Sequence, residues 1–408
     1  MIDLPKTRAD AEALDAADPL AERRALFVPP PGVAYMGGHS LGPATQAAVE
    51  AVSDGARRGW AEGLVGAWNT EGWIGLADRA AAKLASLIGA APSEVAVCDT
   101  VSVNLFKLAG AALPLCASRT VIVERDDFPT DLYVAQGLAD LGGAERQAAE
   151  PGGGAEALGA TGGVLIKSAV NYRTGLIADV EAHEAAARSA GGLIVWDLSH
   201  ATGVVPLDLG ARGATLAAGC TYKYLGGGPG APSFVYAADG IADRLANPIA
   251  GWFGHEAPFA FDEAYRPKPG AARFQAGTPP ILSLLALDAA LGAFEGLDPA
   301  TLHEKAGRLG DMMVARLGAL GLEPQVPTDA ARRGGHVSFA HDDGYALVRA
   351  LIERGVHGDF REPGTVRFGL SPLPLSYAQV WDALDIAEGV LTDRAYDDAR
   401  YRQRTAVT

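Results

Sequence analysis

The chain has 408 residues, 49% of them hydrophobic and 20% charged, a composition typical of a soluble globular protein large enough for a sizeable core. Its formal net charge of −15 disfavours nucleic acids and anionic membranes as partners, because their phosphates attract basic surfaces. The first thirty residues mix acidic and basic side chains and contain no apolar signal segment, so we expect a cytoplasmic protein.

The cysteines are widely spaced along the chain, at Cys98, Cys116 and Cys220. They form no CxxC pair, and no histidine lies near them at the spacing of metal ligands. We therefore expect reduced, buried thiols and no metal site.

The first strong periodic pattern is a helix between Gly75 and Gly89, where apolar residues recur at helical spacing and glycine ends the pattern. Short apolar runs of strand length follow it, at 95–98, 120–124, 163–168, 193–197, 216–220 and 233–236. Helical patterns at 132–141 and 180–190 separate some of these runs. This alternation predicts right-handed crossovers on a mainly parallel sheet, whose ligands bind beyond the carboxyl ends of the strands.

A stretch rich in proline and glycine at 267–280 precedes an apolar helix at 281–294, which indicates a connection out of the large domain. The elements predicted after it are a helix at 301–320, a strand at 336–340, a helix at 345–354, a strand at 366–369 and a helix at 377–391. A second, smaller domain is therefore expected. The low-complexity patch at 151–163 is predicted to be a surface loop.

The strongest chemical signal is Cys-Thr-Tyr-Lys-Tyr-Leu-Gly-Gly-Gly-Pro-Gly at 220–230, where Lys223 leaves a predicted strand and enters a glycine-rich turn. A desolvated lysine is nucleophilic toward an aldehyde, and glycines let the backbone approach a bulky planar cofactor. The alternative interpretation is a surface lysine beside a flexible loop.

A carboxylate ends another apolar run, in Trp-Asp-Leu-Ser-His at 196–200. Asp197 in this position can pair with the ring nitrogen of pyridoxal phosphate and keep it protonated, so that the ring accepts electrons from a substrate. Taken alone, Asp197 also suits a helix cap, and His200 a structural hydrogen bond.

A lysine and an aspartate in these two settings resemble fold-type I pyridoxal-phosphate enzymes of the class V aminotransferase-like superfamily. Further motifs narrow the resemblance to the bacterial type of the kynureninase family and extend it over nearly the whole chain. These motifs are Tyr-Met-Gly-Gly-His-Ser-Leu-Gly-Pro at 35–43, Phe-Pro-Thr-Asp at 128–131, Val-Asn-Tyr-Arg-Thr-Gly at 170–175, Gly-Trp-Phe-Gly-His at 251–255, Phe-Gln-Ala-Gly-Thr-Pro-Pro at 274–280 and Val-Arg-Phe-Gly-Leu-Ser-Pro at 366–372.

The resemblance implies an α/β protein of the fold-type I pyridoxal-phosphate transferase architecture. It has a mainly parallel sheet in the large domain and a smaller α+β domain. Residues 1–44 would be an N-terminal segment that contributes to the small domain and the active site, 45–285 the large cofactor-binding domain, and 286–408 the small C-terminal domain. The family also implies a homodimer with shared active sites.

For pyridoxal 5'-phosphate, the resemblance implies that Lys223 holds the cofactor covalently while Asp197 pairs with the ring nitrogen. His200 would lie beside Asp197, and Tyr222, Ser102 and the backbone near Val101 would hold the phosphate. Phe128 would stack on the ring, with Thr130 and Asp131 in the same turn. Trp252 and Thr278 would reach toward the cofactor of a second subunit.

The resemblance places Arg367 at the substrate carboxylate, for which a planar guanidinium is suited. His39, Ser40, Trp68 and Asn69 would also lie at the substrate. Trp68-Asn69 and Thr278 match bacterial members that use kynurenine, whereas animal members that favour 3-hydroxykynurenine have histidine and asparagine there. The alternative for Trp68 is a core role near Trp60 and Trp73, and the functional role is preferred.

The implied reaction is hydrolysis of L-kynurenine, a small amino acid, to anthranilate and L-alanine through a ketimine of the cofactor. Lys223 would remove the α-proton and Tyr222 would protonate the β-carbon. The expected setting is the kynurenine pathway of tryptophan catabolism, with secondary metabolism as the alternative.

Two residues depart from the family pattern, because asparagine usually stands at His39 and often at Gly226. These departures bear on fine specificity more than on the reaction class, and they motivate the alternative of a homologue that binds the cofactor without catalysis. Another fold-type I enzyme, a β-eliminating lyase or an aminotransferase, also stays open, since an aminotransferase shares ketimine formation. A cysteine desulfurase would need a nucleophilic cysteine late in the chain, and Cys220 is the last one.

Overall fold

The larger part of the protein is built on a seven-stranded sheet, seen in a computed structural model that describes residues 4–405. The strands of the described chain are β1 (Ala34–Tyr35), β2 (Val95–Val97), β3 (Thr120–Glu124), β4 (Glu145–Ala149), β5 (Val164–Ser168), β6 (Leu193–Asp197), β7 (Leu216–Gly219), β8 (Phe234–Ala237), β9 (Glu323–Pro324), β10 (His336–Ala340), β11 (Val356–His357), β12 (Asp359–Arg361) and β13 (Thr365–Gly369).

The large sheet has the order β2-β8-β7-β6-β5-β3-β4. Strands β3 to β7 pair in parallel, whereas β8 runs antiparallel to both β7 and β2. The predicted parallel α/β sheet is therefore confirmed. Edge strand β4 was not predicted, because its Glu-Arg-Gln start is polar and exposed and gives no apolar run.

Helices cover this sheet and lie between its strands. The helices of the described chain are α1 (Arg8–Ala16), α2 (Gln46–Asp54), α3 (Ala67–Thr70), α4 (Leu76–Ile88), α5 (Val101–Ala112), α6 (Pro129–Asp140), α7 (Gly154–Thr161), α8 (Val180–Ala190), α9 (Asp239–Ala242), α10 (Ile281–Leu291), α11 (Pro299–Ala319), α12 (Gly344–Ile352) and α13 (Tyr377–Thr392). Side-chain caps fix several of their starts. Thr100, for example, caps α5 by accepting a hydrogen bond from the Val103 N–H.

The prediction of a surface loop at 151–163 is wrong, because α7 lies within it and buries Leu158. The Glu124 carboxylate accepts hydrogen bonds from the backbone N–H groups of Gly152 and Gly154 just before and at the start of this helix. A Cβ atom at Gly154 would lie 2.6 Å from Glu124 Oε1, so the close approach needs glycine. The glycine content therefore reflects tight packing.

A second hydrophobic core surrounds the antiparallel sheet β12-β13-β10-β9. It includes residues of α11, α12 and α13, together with Ala11 and Met36 from the N-terminal part of the chain. Strand β1 pairs with β11, and Gly37 bridges to Gly369, so the N-terminal segment is attached to this smaller unit.

The core of the large sheet extends beyond the predicted connection, since it also contains Leu287, Leu302 and Ala306. Helix α10 and the first turns of α11 therefore pack on the large unit. The division of the chain into an N-terminal segment, a large domain and a small domain, with boundaries at residues 44 and 285, stays a proposal. Within residues 4–405, no helix is both long enough and apolar enough to cross a membrane.

Candidate active site

A cavity of about 240 Å³, here called the inner cavity, lies at the carboxyl ends of the parallel strands. Its lining comes from the segments after β5, β6 and β7 and from the start of α5. The lining residues are Thr100, Val101, Ser102, Phe128, Thr130, Ser168, Val170, Asp197, Ser199, His200, Cys220, Tyr222, Lys223, Gly230, Ala231 and Ser233. Eight of the residues proposed for catalysis or cofactor binding are thus brought together.

Lys223 and Asp197 both line this cavity, Lys223 in the turn after β7 and Asp197 at the end of β6. The Lys223 Nζ atom lies 5.9 Å from the centre of the Phe128 ring. Asp197 is 5% exposed, and its Oδ1 atom accepts a hydrogen bond of 2.8 Å from the Ser199 N–H. Burial raises the pKa of Asp197, while the nearby Lys223 and the bonds from Ser199 oppose that rise.

Asp131 lies behind the cavity wall, fully buried on α6, and its Oδ2 atom accepts a hydrogen bond of 3.3 Å from Ser168. Burial and then the charge of Asp197 raise its pKa well above the usual range. His200 is also buried, and burial lowers its pKa well below the usual value, so its imidazole is neutral. Its Nδ1 atom has no hydrogen-bond partner within residues 4–405.

These residues fit pyridoxal 5'-phosphate. The N-terminus of α5, with the hydroxyls of Thr100 and Ser102, suits a phosphate. Phe128 offers a ring face, and the buried carboxylate of Asp197 suits a protonated ring nitrogen. Among the described residues, no group of histidine, cysteine, aspartate or glutamate side chains has the arrangement of a metal site.

A second cavity of about 720 Å³, the outer cavity, adjoins the inner one, and Phe128 lines both. Ser40 lines the outer cavity, as do Tyr172, Asp359 and Arg361. Three of these residues, Tyr172, Asp359 and Arg361, were not identified from the sequence. Asp359 could have been identified from its position opposite Arg367 in a hairpin, because opposite charges attract across paired strands.

Arg367 lines neither cavity and is 2% exposed. Its Nε and Nη2 atoms donate to the two carboxylate oxygens of Asp359 at 2.8 and 2.6 Å, and Nη1 donates to the Tyr172 carbonyl at 2.6 Å. Arg361 Nη2 lies 3.1 Å from the same carboxylate. Burial opposes ionisation of Asp359, but His39 and Arg367 lower its pKa below the usual range.

His39 is fully buried beside this pair, with Nε2 3.2 Å from Asp359 Oδ1. Burial lowers the pKa of His39 to about 4 despite the attraction of Asp359, so the ring is neutral at pH 7. Its ring centre lies 5.5 Å from that of His336, which in turn lies 5.4 Å from that of His200. His39 therefore contacts the small sheet rather than the inner cavity.

The remaining predicted residues lie apart from both cavities. Trp68, Asn69, Trp252 and Thr278, here called the flank group, are at least partly exposed. Trp68 and Trp252 meet at Phe253, with ring centres 6.2 and 4.5 Å from it. Trp68 also contacts Trp73 edge to face at 6.1 Å. A single chain does not bring this group to its own inner cavity.

Solved structures with the same fold include C-DES and a cysteine desulfurase. C-DES, with glycine covalently linked to its PLP cofactor, superposes with a TM-score of 0.77 at 16% identity and covers 89% of this chain and 98% of that one. The cysteine desulfurase of Thermococcus onnurineus NA1 gives 0.73 at 18% identity, covering 96% and 99%. Fold and site together define a fold-type I pyridoxal-phosphate enzyme.

Sequence relatives narrow this class. The kynureninase of Pseudomonas fluorescens is 42% identical over 414 residues, covering 98% of this chain and 100% of the relative. The kynureninase of Burkholderia mallei strain SAVP1 is 42% identical over 415 residues, covering 99% and 100%. The model of the kynureninase C-terminal domain matches residues 302–387. The chain belongs to the kynureninase family, whose cofactor is pyridoxal 5'-phosphate and whose enzymes hydrolyse a carbon–carbon bond.

Proposed function

We propose that this chain hydrolyses L-kynurenine to anthranilate and L-alanine at the inner cavity, with Lys223 as the attachment point of the cofactor. The observation that carries the proposal is the meeting of Lys223, Asp197 and Phe128 in one buried cavity at the carboxyl ends of parallel strands. When bound, pyridoxal phosphate supplies an electron sink for bonds broken at the substrate. Lys223, once displaced by the substrate amine, removes the α-proton.

Asp197 is the partner proposed for the cofactor's ring nitrogen. Its backbone lies at the end of β6, and the Ser199 N–H fixes one carboxylate oxygen, so the side chain is held before the cofactor arrives. Burial and the charge of Asp197 raise the pKa of Asp131, which lies behind it, and so favour the neutral form of the Asp131 carboxyl. Val101, Ser102 and Tyr222 would hold the phosphate, with Thr130 in the same lining.

Tyr222 is the proposed donor of the proton to the β-carbon. It lines the inner cavity beside Lys223, and burial raises the pKa of its hydroxyl, which therefore keeps its proton at neutral pH. A protonated hydroxyl in this position is suited to a general acid.

Arg367 is proposed to bind the substrate's α-carboxylate. A guanidinium has five N–H donors, and Asp359 and Tyr172 take three of them. Two donors, one on Nη1 and one on Nη2, are left for a carboxylate. Asp359 therefore acts as a positioning residue that fixes the plane of the guanidinium. Ser40 lines the outer cavity, whereas His39 is fully buried against Asp359.

The flank group supports a homodimer with shared active sites. Large apolar side chains near it are exposed, with Trp60 64%, Val65 83% and Phe261 79% accessible. Apolar surface of this kind marks an interface between proteins. We propose that a second copy covers it and that Trp252 and Thr278 then reach the partner's cofactor.

Subunit exchange tests this arrangement. In an equal mixture of Lys223→Ala protein and Trp252→Ala/Thr278→Ala protein, about a quarter of all sites should be intact if each site draws on both chains. Light scattering on the parent gives the mass. A monomer, or a mixture with no gain in activity, would contradict the shared site.

We further propose a preference for kynurenine over 3-hydroxykynurenine. An indole at Trp68 and a methyl group at Thr278 pack against an unsubstituted ring and offer a hydroxyl little hydrogen bonding. Because an apolar pocket rejects an added hydroxyl weakly, the ratio of kcat/KM values should be roughly tenfold. Side-by-side kinetics decide the point, and a preference for 3-hydroxykynurenine would reverse it.

The direct test of the function is fluorescence of anthranilate when kynurenine is added to yellow, cofactor-loaded protein. Alanine must appear in equal amount, since pyruvate would indicate an aminotransferase. The proposed setting is the cytoplasm and the kynurenine pathway of tryptophan catabolism, where the substrate arises.

A further inference from the structure

Several residues that line the outer cavity have no part in the proposed reaction. Among them are Tyr345, Phe360 and Arg404. Arg404 comes from the C-terminal end of the described chain, and its guanidinium lies 4.3 Å from the Tyr345 ring centre and 5.2 Å from that of Phe360. This part of the cavity therefore pairs flat aromatic surfaces with a cation.

Two pairs of aromatic rings lie in the lining of the outer cavity. Phe128 and Tyr172 meet edge to face at 5.2 Å, and Tyr345 and Phe360 do so at 5.9 Å. Such rings favour a flat aromatic ligand, because they offer both faces and edges for stacking.

The charge in this region is opposite to that of the whole chain. Arg173, Arg361 and Arg404 line the cavity together with Asp359 and Glu362, and Arg367 lies directly behind Asp359. Three guanidinium groups thus line the cavity with two carboxylates, in a chain whose net charge is −15. Burial lowers the pKa of His357, the histidine of this lining, so that it adds no charge at neutral pH. The local excess of positive charge favours an anion.

We propose that the outer cavity is a binding site for aromatic carboxylates and that anthranilate occupies it on leaving the inner cavity. The inference rests on the proposed function, because it takes anthranilate as the product. Hydrolysis places the oxygen of water on the γ-carbon and a hydrogen on the β-carbon, and the aryl acid then loses its proton to solvent. The aryl end changes from an uncharged ketone to an anion, so a positive aromatic cavity distinguishes product from substrate.

Arg404 is the residue to change, because it lines the outer cavity but not the inner one and lies on an exposed stretch of chain. Its partner is Glu362, with Nη1 and Oε1 2.8 Å apart and both side chains more than half exposed. Arg394→Gln is the matched control. Arg394 likewise lies over a tyrosine, 5.3 Å from the ring centre of Tyr396, and pairs with an aspartate, but it lines neither cavity.

Equilibrium dialysis of the holoenzyme with anthranilate, benzoate and uncharged aniline tests the site. In Arg404→Gln we expect the Kd of both carboxylates to rise about fivefold, which corresponds to one partly exposed charge contact, with a larger rise in Arg404→Glu. Aniline should bind weakly and equally to all variants. The KM for kynurenine should stay within about twofold of the parent, and Arg394→Gln should match the parent throughout.

Unchanged carboxylate affinity in both Arg404 variants, or aniline binding as tight as anthranilate binding, would overturn the proposal. Repeating the dialysis with Lys223→Ala protein separates this inference from the proposed function. Turnover in that variant reports on Lys223, whereas its affinity for anthranilate reports on the outer cavity.

Discussion

The polar side chains differ between two regions of the molecule. One region is the rim of the seven-stranded sheet, meaning the carboxyl ends of its parallel strands around Lys223 and Asp197, and the other is the Arg367–Asp359 pair on the four-stranded sheet. At the rim, the Lys223 side chain faces the Phe128 ring and makes no hydrogen bond or ion pair within residues 4–405. On the small sheet, Asp359 is engaged by Arg367, by Arg361 and by the His39 ring. The Lys223 amine proposed to hold the cofactor is therefore available to react with it. The polar groups around Asp359 instead contact one another and fix the geometry of Arg367.

The largest effect is expected at the rim, from Lys223→Ala. Loss of the amine removes both the attachment point and the base, so turnover should fall by roughly a thousandfold or more. Anthranilate fluorescence measures turnover, and borohydride treatment measures covalently fixed cofactor. Lys83→Ala serves as the control, because Lys83 pairs with Asp288 and lines neither cavity. Borohydride-fixable cofactor in Lys223→Ala would show that another lysine holds it.

Asp197→Asn tests whether the other rim residue acts through its charge. The amide keeps the shape of the side chain but loses the negative charge proposed to stabilise the ring nitrogen, so exchange of the substrate's α-proton should slow roughly a hundredfold. NMR in deuterated water follows the exchange. An exchange rate equal to that of the parent would place the partner of the ring nitrogen elsewhere.

At the small sheet, the effect expected is on the free energy of unfolding, through His39. His39 has a pKa of about 4 in the folded protein, below the usual value near 6.5, so the unfolded chain takes up the proton first as the pH falls. The free energy of unfolding should therefore decrease by about 2 kcal/mol from this residue between pH 7 and pH 5. His39→Asn should remove that part of the decrease.

Urea unfolding at the two pH values measures this difference. His183→Gln is the control, because His183 is a partly exposed histidine on α8, outside the buried histidine cluster. Identical pH dependence in His39→Asn and the parent would mean that His39 is not held neutral by burial.

The smallest effect is expected from Arg367→Lys. A lysine places one point charge where the guanidinium offers a fork, so Asp359 and the substrate carboxylate can no longer be bound together. The Kd for L-alanine should rise about tenfold, which equals 1.4 kcal/mol. Titration of the cofactor absorbance with alanine measures it. Equal affinity for alanine would exclude Arg367 from carboxylate binding and leave it a purely structural partner of Asp359.

The sequence predicted the rim far better than the small sheet. Strand ends are local features of the sequence. Asp197 ends one apolar run and Lys223 follows another, and both runs form strands close to their predicted bounds. The Asp359 contacts depend on pairing between distant segments, since His39, Tyr172 and Arg367 come from three parts of the chain. The short strands β1, β11 and β12 carry too few residues to show a period.

The flank group shows a further limit of sequence-based prediction. Its residues match family positions near a cofactor, yet their own chain leaves them on the surface, and only a second copy would supply the rest of the site. The helix at 154–161 was missed for another reason: glycine and alanine give little amphipathic signal, and its start depends on Glu124 from β3.

The packing of His39 against Gly369 has an evolutionary consequence. A Cβ atom at Gly369 would lie 2.2 Å from His39 Nδ1 and 2.7 Å from the His39 backbone nitrogen. Neither the imidazole nor the main chain there tolerates a side chain at position 369, and the main-chain clash would remain if His39 were replaced. Position 369 is therefore restricted to glycine whichever residue stands at 39, whereas position 39 can change alone. Descendants of this sequence that acquire alanine or a larger residue at 369 must first displace the segment carrying His39, and with it one contact of Asp359.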